Sequence, residues 1–265
     1  MKALALLAAS LFLGSCSLVP QRTLTACADP NNLPFSNRAA EGFENKLAAM
    51  IAADLHAKLD YVWWAQRRGY VRNTLGESKC DFWPAIASNV EMVATTRPYY
   101  RSTYMFVSRA DAGLNGLTLD DPRLKRVRIG VQLVGNDASN TPPAHALAER
   151  GVITNVRGYI LYGDYRRPNP PAAIIEAVEH GDVDVALVWG PLAGYFAAKS
   201  PVPLRLEPVT PWFADQQWPM QFDVSVGVQK DNQKLLHEID RVLVRRSPDI
   251  RKLLAAYHVP VVEGR

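Results

Sequence analysis

The cysteines, histidines and paired carboxylates of this sequence are the side chains suited to metal binding or catalysis. The chain has three cysteines and five histidines, and the histidines form no HxxxH pattern. No further ligand stands at zinc-like spacing from Cys27 and Cys80. The spacing of Glu176 and Glu179 places both on one exposed helix face, which is typical of solvated charges rather than of a catalytic pair. The sequence contains neither a Gly-x-Ser-x-Gly elbow nor a glycine-rich phosphate loop. The sequence predicts no metal site, no cofactor and no catalytic activity.

Cys27 and Cys80 are candidates for a disulfide bridge. Cys27 ends a strand-like run, residues 24–27, and Cys80 immediately precedes the apolar run 81–83. If the two runs are neighbouring parallel strands, their thiols come within bridging distance. The alternative is a pair of unpaired thiols, one of them buried.

Tryptophans and asparagines are candidates for ligand contacts. Trp63, Trp64 and Trp189 have rings that stack on a flat or sugar-like ligand, and packing in a core is an equally open alternative. Asn31 and Asn32 offer amide hydrogen bonds at a cleft mouth. Their alternative role is to hold the proline-bounded loop 30–37 through side-chain-to-backbone bonds.

Arginine pairs are candidates for an anion site or for contact with an acidic partner. Arg67 with Arg68 and Arg97 with Arg101 are the pairs concerned, and a solvated basic face is the alternative. The proline-rich loop 165–171 carries a tyrosine and two arginines, residue types that are enriched at interfaces. We expect this loop to project from the molecule as a contact surface.

The N-terminus is predicted to be an export signal. Lys2 precedes an apolar run, residues 3–14, that is too short to span a bilayer but suits the core of a signal peptide. It ends in Leu-Gly-Ser-Cys, which resembles a bacterial lipobox with Cys16 as the acylated residue. Residues 1–15 are then the signal peptide, and a lipid on Cys16 is the predicted membrane attachment of a periplasmic protein. The alternative is ordinary cleavage a few residues downstream.

Composition and pattern indicate a globular α/β protein. The 265 residues are 48% hydrophobic and 21% charged, which excludes a disordered chain, and a net charge of +4 is too small to argue for nucleic-acid binding. Strand-like and helix-like runs alternate through both halves of the chain, which favours parallel sheets with helices on their faces. We predict two lobes joined by two crossings of the chain, one formed by residues 22–108 with 211–265 and the other by residues 109–210.

Several motifs resemble periplasmic solute-binding proteins of ABC importers. Segments found in many such proteins are GFENKLA (42–48), TRPYY (96–100) and GDVDVA (181–186). Longer, more specific segments are CADPNNLPFSN (27–37), WAQRRG (64–69) and WGPLAGY (189–195). These are similar to the solute-binding-like proteins associated with quinoprotein (PQQ-dependent) methanol and alcohol dehydrogenases, over about residues 24–260.

The resemblance implies a fold, a cleft and a partner. The fold is the α/β, two-lobed, type II periplasmic binding protein-like fold with two crossover hinge strands, and the partner is a PQQ-dependent dehydrogenase. The predicted cleft residues are Asn31, Asn32, Phe35, Trp63, Trp64, Arg67, Arg68, Thr96, Arg97 and Trp189.

The sequence departs from amino-acid receptors at two places. Such receptors carry an arginine about nine residues before the Pro-Tyr of the turn and an aspartate after the strand at 183–188, and here Asn89 and Trp189 stand there. Trp83 and Pro84 are expected to fill part of the cleft. A standard amino acid is therefore not the expected ligand. The two remaining hypotheses are an accessory of the dehydrogenase and an importer receptor for another small polar solute.

Overall fold

The computed structural model describes residues 21–88, 90–134, 140–161, 165–214 and 217–263 of the chain. Its strands are β1 (Thr23–Ala28), β2 (Asn31–Asn32), β3 (Ser36–Asn37), β4 (Lys58–Trp63), β5 (Phe82–Ala87), β6 (Ala94–Thr95), β7 (Tyr100–Arg109), β8 (Ile129–Leu133), β9 (Val156–Ile160), β10 (Val185–Trp189), β11 (Leu204–Pro208), β12 (Phe213–Ala214), β13 (Trp218–Pro219) and β14 (Gln221–Val228).

The helices alternate with these strands. They are α1 (Phe43–Asp54), α2 (Tyr70–Asn73), α3 (Pro142–Glu149), α4 (Ala173–Glu179), α5 (Gly190–Ala197), α6 (Gln233–Arg245) and α7 (Ser247–Ala256). Short 3-10 turns span Leu75–Glu77, Pro122–Lys125 and Pro170–Ala172. No helix in the described part of the chain is long and apolar enough to cross a membrane. The predicted signal peptide and Cys16 lie outside the described residues.

Most strands join one mixed sheet in the order β4-β1-β5-β14-β7-β10-β8-β9, with β6 paired to β14 and β11 to β7. β1 is parallel to β4 and β5, and β8 is parallel to β9 and β10. Between these two parallel groups, β7 and β14 run antiparallel to their neighbours. The predicted α/β class is confirmed. The central strands depart from the predicted parallel pairing because they follow loops and a hairpin rather than crossover helices.

β7 and β14 are shared by the two halves of the sheet. β7 pairs with β14 through Tyr100–Thr103 and with β10 and β11 through Tyr104–Arg109. β14 pairs with β7 through residues 221–224 and with β5 from residue 224 onward. The apolar runs 104–108 and 224–228 predict strands at these places, and both strands begin earlier than the runs do. We call β7 and β14 the crossing strands because each pairs with both halves of the sheet. The lobe boundaries assigned from the sequence stay a prediction.

Polar side chains extend these two strands beyond their apolar runs. Arg101 of β7 donates from Nε and Nη2 to the carboxylate of Asp223 on β14, at 2.7 and 2.8 Å. Ser102 Oγ donates to the backbone oxygen of Pro260 at 2.6 Å. Because these polar side chains form hydrogen bonds with neighbouring segments, β7 and β14 remain regular strands where their hydrophobic pattern ends.

Each half of the sheet has its own core. In the first half Phe43 of α1 is 1% exposed and packs with Leu47, Val226 and Ile239. In the second half β10 is buried on both faces: Leu187 belongs to one cluster, and Ala186 and Val188 belong to another. A strand covered on both faces reads as a continuous apolar run, which is how this segment reads in the sequence.

Helix α5 escapes sequence-based prediction because it opens with Gly190 and Pro191 and contains Gly194. A Cβ atom on Gly194 would lie 1.9 Å from the backbone oxygen of His258, so only glycine allows the helix to approach that segment. Here glycine marks a close contact between two elements rather than the end of a helix.

The predicted disulfide joins Cys27 of β1 to Cys80, with their Cα atoms 5.5 Å apart. The strand order supplies this geometry, since β1 pairs in parallel with β5 at Ala26 and Phe82. The bridge lies in a buried cluster that includes Tyr70 and Trp83. Trp83 therefore packs beside the disulfide, and the expectation that it fills the cleft is wrong.

Candidate functional site

A pocket of about 420 Å³ lies where the two halves of the sheet meet. Its lining residues are Asn32, Phe35, Glu44, Gln66, Ala85, Ile86, Ala87, Tyr100, Tyr104, Gln132, Leu161, Trp189, Leu192, Phe222 and Val224. They come from both halves and from the crossing strands, which is where solute-sized pockets form between lobes. The wall is mainly apolar and aromatic, with three amides and one carboxyl group among the described residues.

The loop before α1 positions Phe35 and Glu44. Its turn is closed by the Phe35 N–H donating to the oxygen of Asn32 at 2.9 Å, and the Glu44 N–H donates to the oxygen of Phe35 at 2.9 Å. Gly42 permits this approach, because a Cβ atom there would lie 2.0 Å from the Phe35 oxygen. The Phe35 ring packs edge-on against Phe43, 5.6 Å between centroids. The start of α1 is thereby held against the pocket.

Trp189 closes the opposite side of the pocket from the end of β10. Its backbone N–H donates to Oε1 of the buried Gln132 at 2.9 Å. Its ring packs edge-on against Tyr104 and Phe222, with centroids 5.3 and 5.9 Å away. The indole is therefore an aromatic wall that is held in place by neighbours on both crossing strands.

Glu44 is the charged residue of the described pocket wall. The residue is 6% exposed, and burial raises the pKa of its carboxyl group to about 8, with a smaller contribution from the negative charge of Asp29. Among the described residues, no donor is hydrogen-bonded to this carboxyl group. Glu44 therefore carries its proton at neutral pH.

Asp29 organises the loops at the rim of the pocket. Its carboxylate accepts from the backbone N–H groups of Asn31 and Gln66 at 2.8 and 2.6 Å, and from the hydroxyl of Tyr165. Burial raises the pKa of Asp29, and these hydrogen bonds oppose the rise. Asn32 Nδ2 in turn donates to Gln66 Oε1 at 2.7 Å, which fixes two polar groups of the wall.

The loop 165–171 reaches across to the first half of the molecule. Besides the Tyr165 bond to Asp29, Asn31 Nδ2 donates to the oxygen of Arg167 at 2.9 Å, and the Asn169 N–H donates to Asn31 Oδ1 at 3.2 Å. The loop therefore binds the rim of the pocket, while its residues 166–168 are exposed, and its role as a contact surface stays a prediction. The Tyr165 hydroxyl and the Asn31 side chain find their partners within the chain itself.

Three of the predicted cleft residues line the pocket, namely Asn32, Phe35 and Trp189. Asn31 stands beside it as part of the contact with loop 165–171. The guanidinium of Arg67 lies 5.3 Å from the ring centroid of Tyr165, also at the rim, and Arg68 is exposed. These positions agree with the loop placement that the motifs implied.

Trp63, Trp64, Thr96 and Arg97 do not line the pocket. Trp63 stacks on Tyr61 at 4.7 Å along the edge strand β4, and Trp64 is 39% exposed. The buried Thr96 accepts the N–H of Val226 at 3.0 Å, a structural role.

Arg97 was predicted at the cleft and lies elsewhere. Its side chain is 69% exposed and pairs with Asp240 of α6 at 2.9 Å. Its backbone N–H also donates to Asp240, so the turn and the helix hold it on the outer surface. Arg97 lies away from the cleft because it pairs with Asp240, an acid that no local pattern connects to this turn.

Glu44, Gln66 and Gln132 are pocket residues that the sequence did not reveal. A signal for Glu44 exists in the helix pattern, because the buried Leu47 and Ala48 follow it by three and four residues. An acid on the buried face of an amphipathic helix is a better site candidate than acids on the solvated face. The two glutamines carry no comparable pattern.

The described wall lacks the ionic pair that grips a free amino acid. No arginine, lysine or histidine is among its described residues, and Trp189 occupies the position where an aspartate was expected. Asn89, the predicted replacement of the usual arginine, lies outside the described residues. In the same part of the chain no group of three or more histidine, cysteine or acidic residues could hold a metal ion.

Comparison with known proteins gives full-length matches, although no family model matches the chain. The chain is 32% identical over 252 residues to protein MoxJ of Methylorubrum extorquens, covering 91% of this chain and 82% of that protein. It is 29% identical over 262 residues to protein MoxJ of Paracoccus denitrificans, covering 96% and 95%.

Solved structures give the same result. The periplasmic binding protein XoxJ of Methylobacterium extorquens AM1 is 36% identical, with a TM-score of 0.74, over 91% of this chain and all of that one. An ancestral cationic amino acid solute-binding protein, at 19% identity and a TM-score of 0.68, shows the shared two-lobed fold alone. The resemblance inferred from the motifs is confirmed: the chain belongs to the MoxJ family within the two-lobed solute-binding protein superfamily.

Proposed function

We propose that the protein is a periplasmic accessory of a PQQ-dependent methanol or alcohol dehydrogenase and has no catalytic activity of its own. The observation that carries this proposal is family membership combined with a pocket whose described wall has no basic side chain to hold an amino-acid carboxylate. The two-lobed frame of a receptor is kept, while the described part of the pocket wall does not contain the ion pair typical of amino-acid receptors.

The surface beside the pocket offers the residue types that bind proteins. Trp64, Arg67 and Arg68 are exposed and lie within two residues of Gln66, which lines the pocket. Tryptophan and arginine are enriched at the centres of protein interfaces, where a few residues contribute most of the binding energy. We propose this rim as the contact with the dehydrogenase.

The twenty amino acids are expected to produce no heat and no thermal shift with the purified protein, even at millimolar concentration. A buried carboxylate of an amino acid would find no cation in the described wall, and an unpaired buried charge is too costly. A PQQ-dependent methanol dehydrogenase from the same organism is expected to form a measurable complex that weakens as salt rises.

Arginine variants test whether the rim of the pocket contacts the dehydrogenase. Replacing Arg67 and Arg68 together by alanine is expected to weaken the complex at low salt, while Arg97→Ala, on the outer surface beside α6, serves as the matched control and leaves it unchanged. A micromolar amino-acid ligand with no dehydrogenase complex would contradict the proposal.

A second candidate function is an importer receptor for a small solute that is not a standard amino acid. The pocket favours it, because a volume of about 420 Å³ between two lobes falls within the usual range for ligand sites. Genes for a permease and an ATPase beside this one would support the receptor, and genes for a dehydrogenase and a cytochrome would support the accessory.

We propose that Cys16 is acylated and attaches the protein to a membrane. A Cys16→Ser variant is then expected to lose incorporation of labelled fatty acid and to accumulate as precursor or as soluble protein. The measurement is metabolic labelling followed by fractionation. Unlabelled parent protein that is processed like the variant would show cleavage by the ordinary signal peptidase instead.

A further inference from the structure

The pocket wall contains a buried acid, and no basic side chain accompanies it among the described lining residues. Glu44 is 6% exposed and contributes to the wall, and the described lining residues include no arginine, lysine or histidine. Nor does any described group donate a hydrogen bond to its carboxyl oxygens. Buried carboxyl groups are normally paired or hydrogen-bonded, so an open one facing a cavity indicates that its partner is supplied from outside.

Aromatic rings surround the space that this acid faces. Phe35, Tyr100, Tyr104, Trp189 and Phe222 all belong to the same wall. The faces of such rings attract cations, and aromatic cages of this kind recognise quaternary ammonium groups and other organic cations. Rings without an acid suit any apolar ligand, whereas rings with an unpaired acid favour a positive charge.

One polar atom of each amide in the wall is already engaged with another amide or with the backbone. Asn32 donates to Gln66, and Gln132 accepts the N–H of Trp189. The other atom of each amide can still exchange hydrogen bonds with a ligand, but the described wall contains five aromatic rings against three amides. The described wall offers more to a ligand with one charge and an apolar body.

We propose that this pocket binds a small organic monocation with an apolar body, with the Glu44 carboxylate as its counterion and the aromatic rings as its walls. Binding of this cation is a property of the pocket alone. It is separate from the proposed accessory role and does not require a complex with the dehydrogenase.

Binding is coupled to the loss of a proton. Because burial raises the pKa of Glu44 to about 8, a cation that pairs with its carboxylate displaces the proton held at neutral pH. The titratable groups that interact with it are Asp29 on the loop after β1, Tyr70 on α2, Tyr99 just before β7 and Tyr100 at the start of β7. Burial raises the pKa of each of these tyrosines, so they stay neutral while Glu44 titrates.

The test compares choline with its uncharged isostere 3,3-dimethylbutan-1-ol by calorimetric titration of the purified protein. Choline carries a fixed charge, so any pH dependence belongs to the protein. Its affinity is expected to rise about tenfold from pH 6 to 7 and only about twofold from pH 8 to 9, following ionisation of Glu44. At pH 9 the isostere is expected to bind more weakly than choline does. Its affinity is expected to stay the same at all pH values.

Two further measurements separate the carboxylate from the shape of the pocket. Glu44→Gln is expected to abolish the pH dependence and the preference for choline, while Glu91→Gln, an exposed acid outside the pocket, changes neither. In the parent, titrations in buffers of different ionisation enthalpy should show about one proton released per choline at pH 7.

Equal binding of both ligands at all pH values would overturn the proposal and leave a pocket for uncharged solutes. Failure of both ligands to bind at millimolar concentration would overturn it as well. Neither result affects the proposed complex with the dehydrogenase, since that protein is absent from these titrations.

Discussion

At pH 9 a Glu44→Gln variant is expected to be more stable to unfolding than the parent protein by about 3–5 kcal/mol. The carboxyl group has its ordinary pKa of 4.5 in the unfolded chain and a pKa of about 8 in the folded one. As pH rises from 4.5 to 8, the unfolded state gives up this proton while the folded state must keep it. The parent therefore loses stability across that window, and glutamine, which does not titrate, removes the loss.

Urea unfolding of both proteins at a series of pH values measures this difference. Below pH 4.5 the two proteins should have nearly the same free energy of unfolding, since both carry a neutral side chain. The difference should grow toward pH 8 and then level off. A constant difference at all pH values would show that Glu44 titrates normally in the folded protein, and it would remove the physical basis for pairing with a ligand cation.

Replacing Cys27 and Cys80 by alanine is expected to lower the free energy of unfolding by about 4 kcal/mol on the chain-entropy model. The bridge spans 53 residues of sequence, so its loss gives the unfolded chain considerable freedom. Both cysteines are buried beside Tyr70 and Trp83, so the substitution also removes packed sulfur atoms. The measurement is the urea midpoint of the oxidised parent against that of the double variant.

A reductant provides the control for that comparison. It should destabilise the parent toward the level of the double variant and leave the variant itself unchanged. Two free thiols in the denatured, oxidised parent would show that the bridge does not form in the mature protein.

Much of the fold was predictable because apolar periodicity records burial directly. The run through Phe43, Leu47 and Ile51 predicts α1, and the apolar run at 183–188 covers β10. The antiparallel placement of β7 and β14 was not predictable, since the two strands pair residues far apart in sequence, such as Arg101 with Asp223, which are 122 positions apart. Local patterns carry no information about such pairs.

The site was predictable only in part, because residue type does not say which way a side chain points. Phe35 and Trp189 reach the pocket from loop and strand ends, whereas Trp64 faces outward beside the edge strand β4. Glu44 was missed because an acid in the first turn of a helix is common for electrostatic reasons unrelated to ligands. Its burial is a tertiary property set by the loop that packs over Gly42.

The crossing strands also supply four residues of the pocket wall, Tyr100 and Tyr104 on β7 and Phe222 and Val224 on β14. A rotation of one lobe against the other bends these strands, so it must alter the shape of the pocket at the same time. A solute that favours one angle between the lobes and a protein that grips both lobes are then linked thermodynamically. If the solute changes the affinity for the partner protein by a given factor, the partner protein changes the affinity for the solute by the same factor.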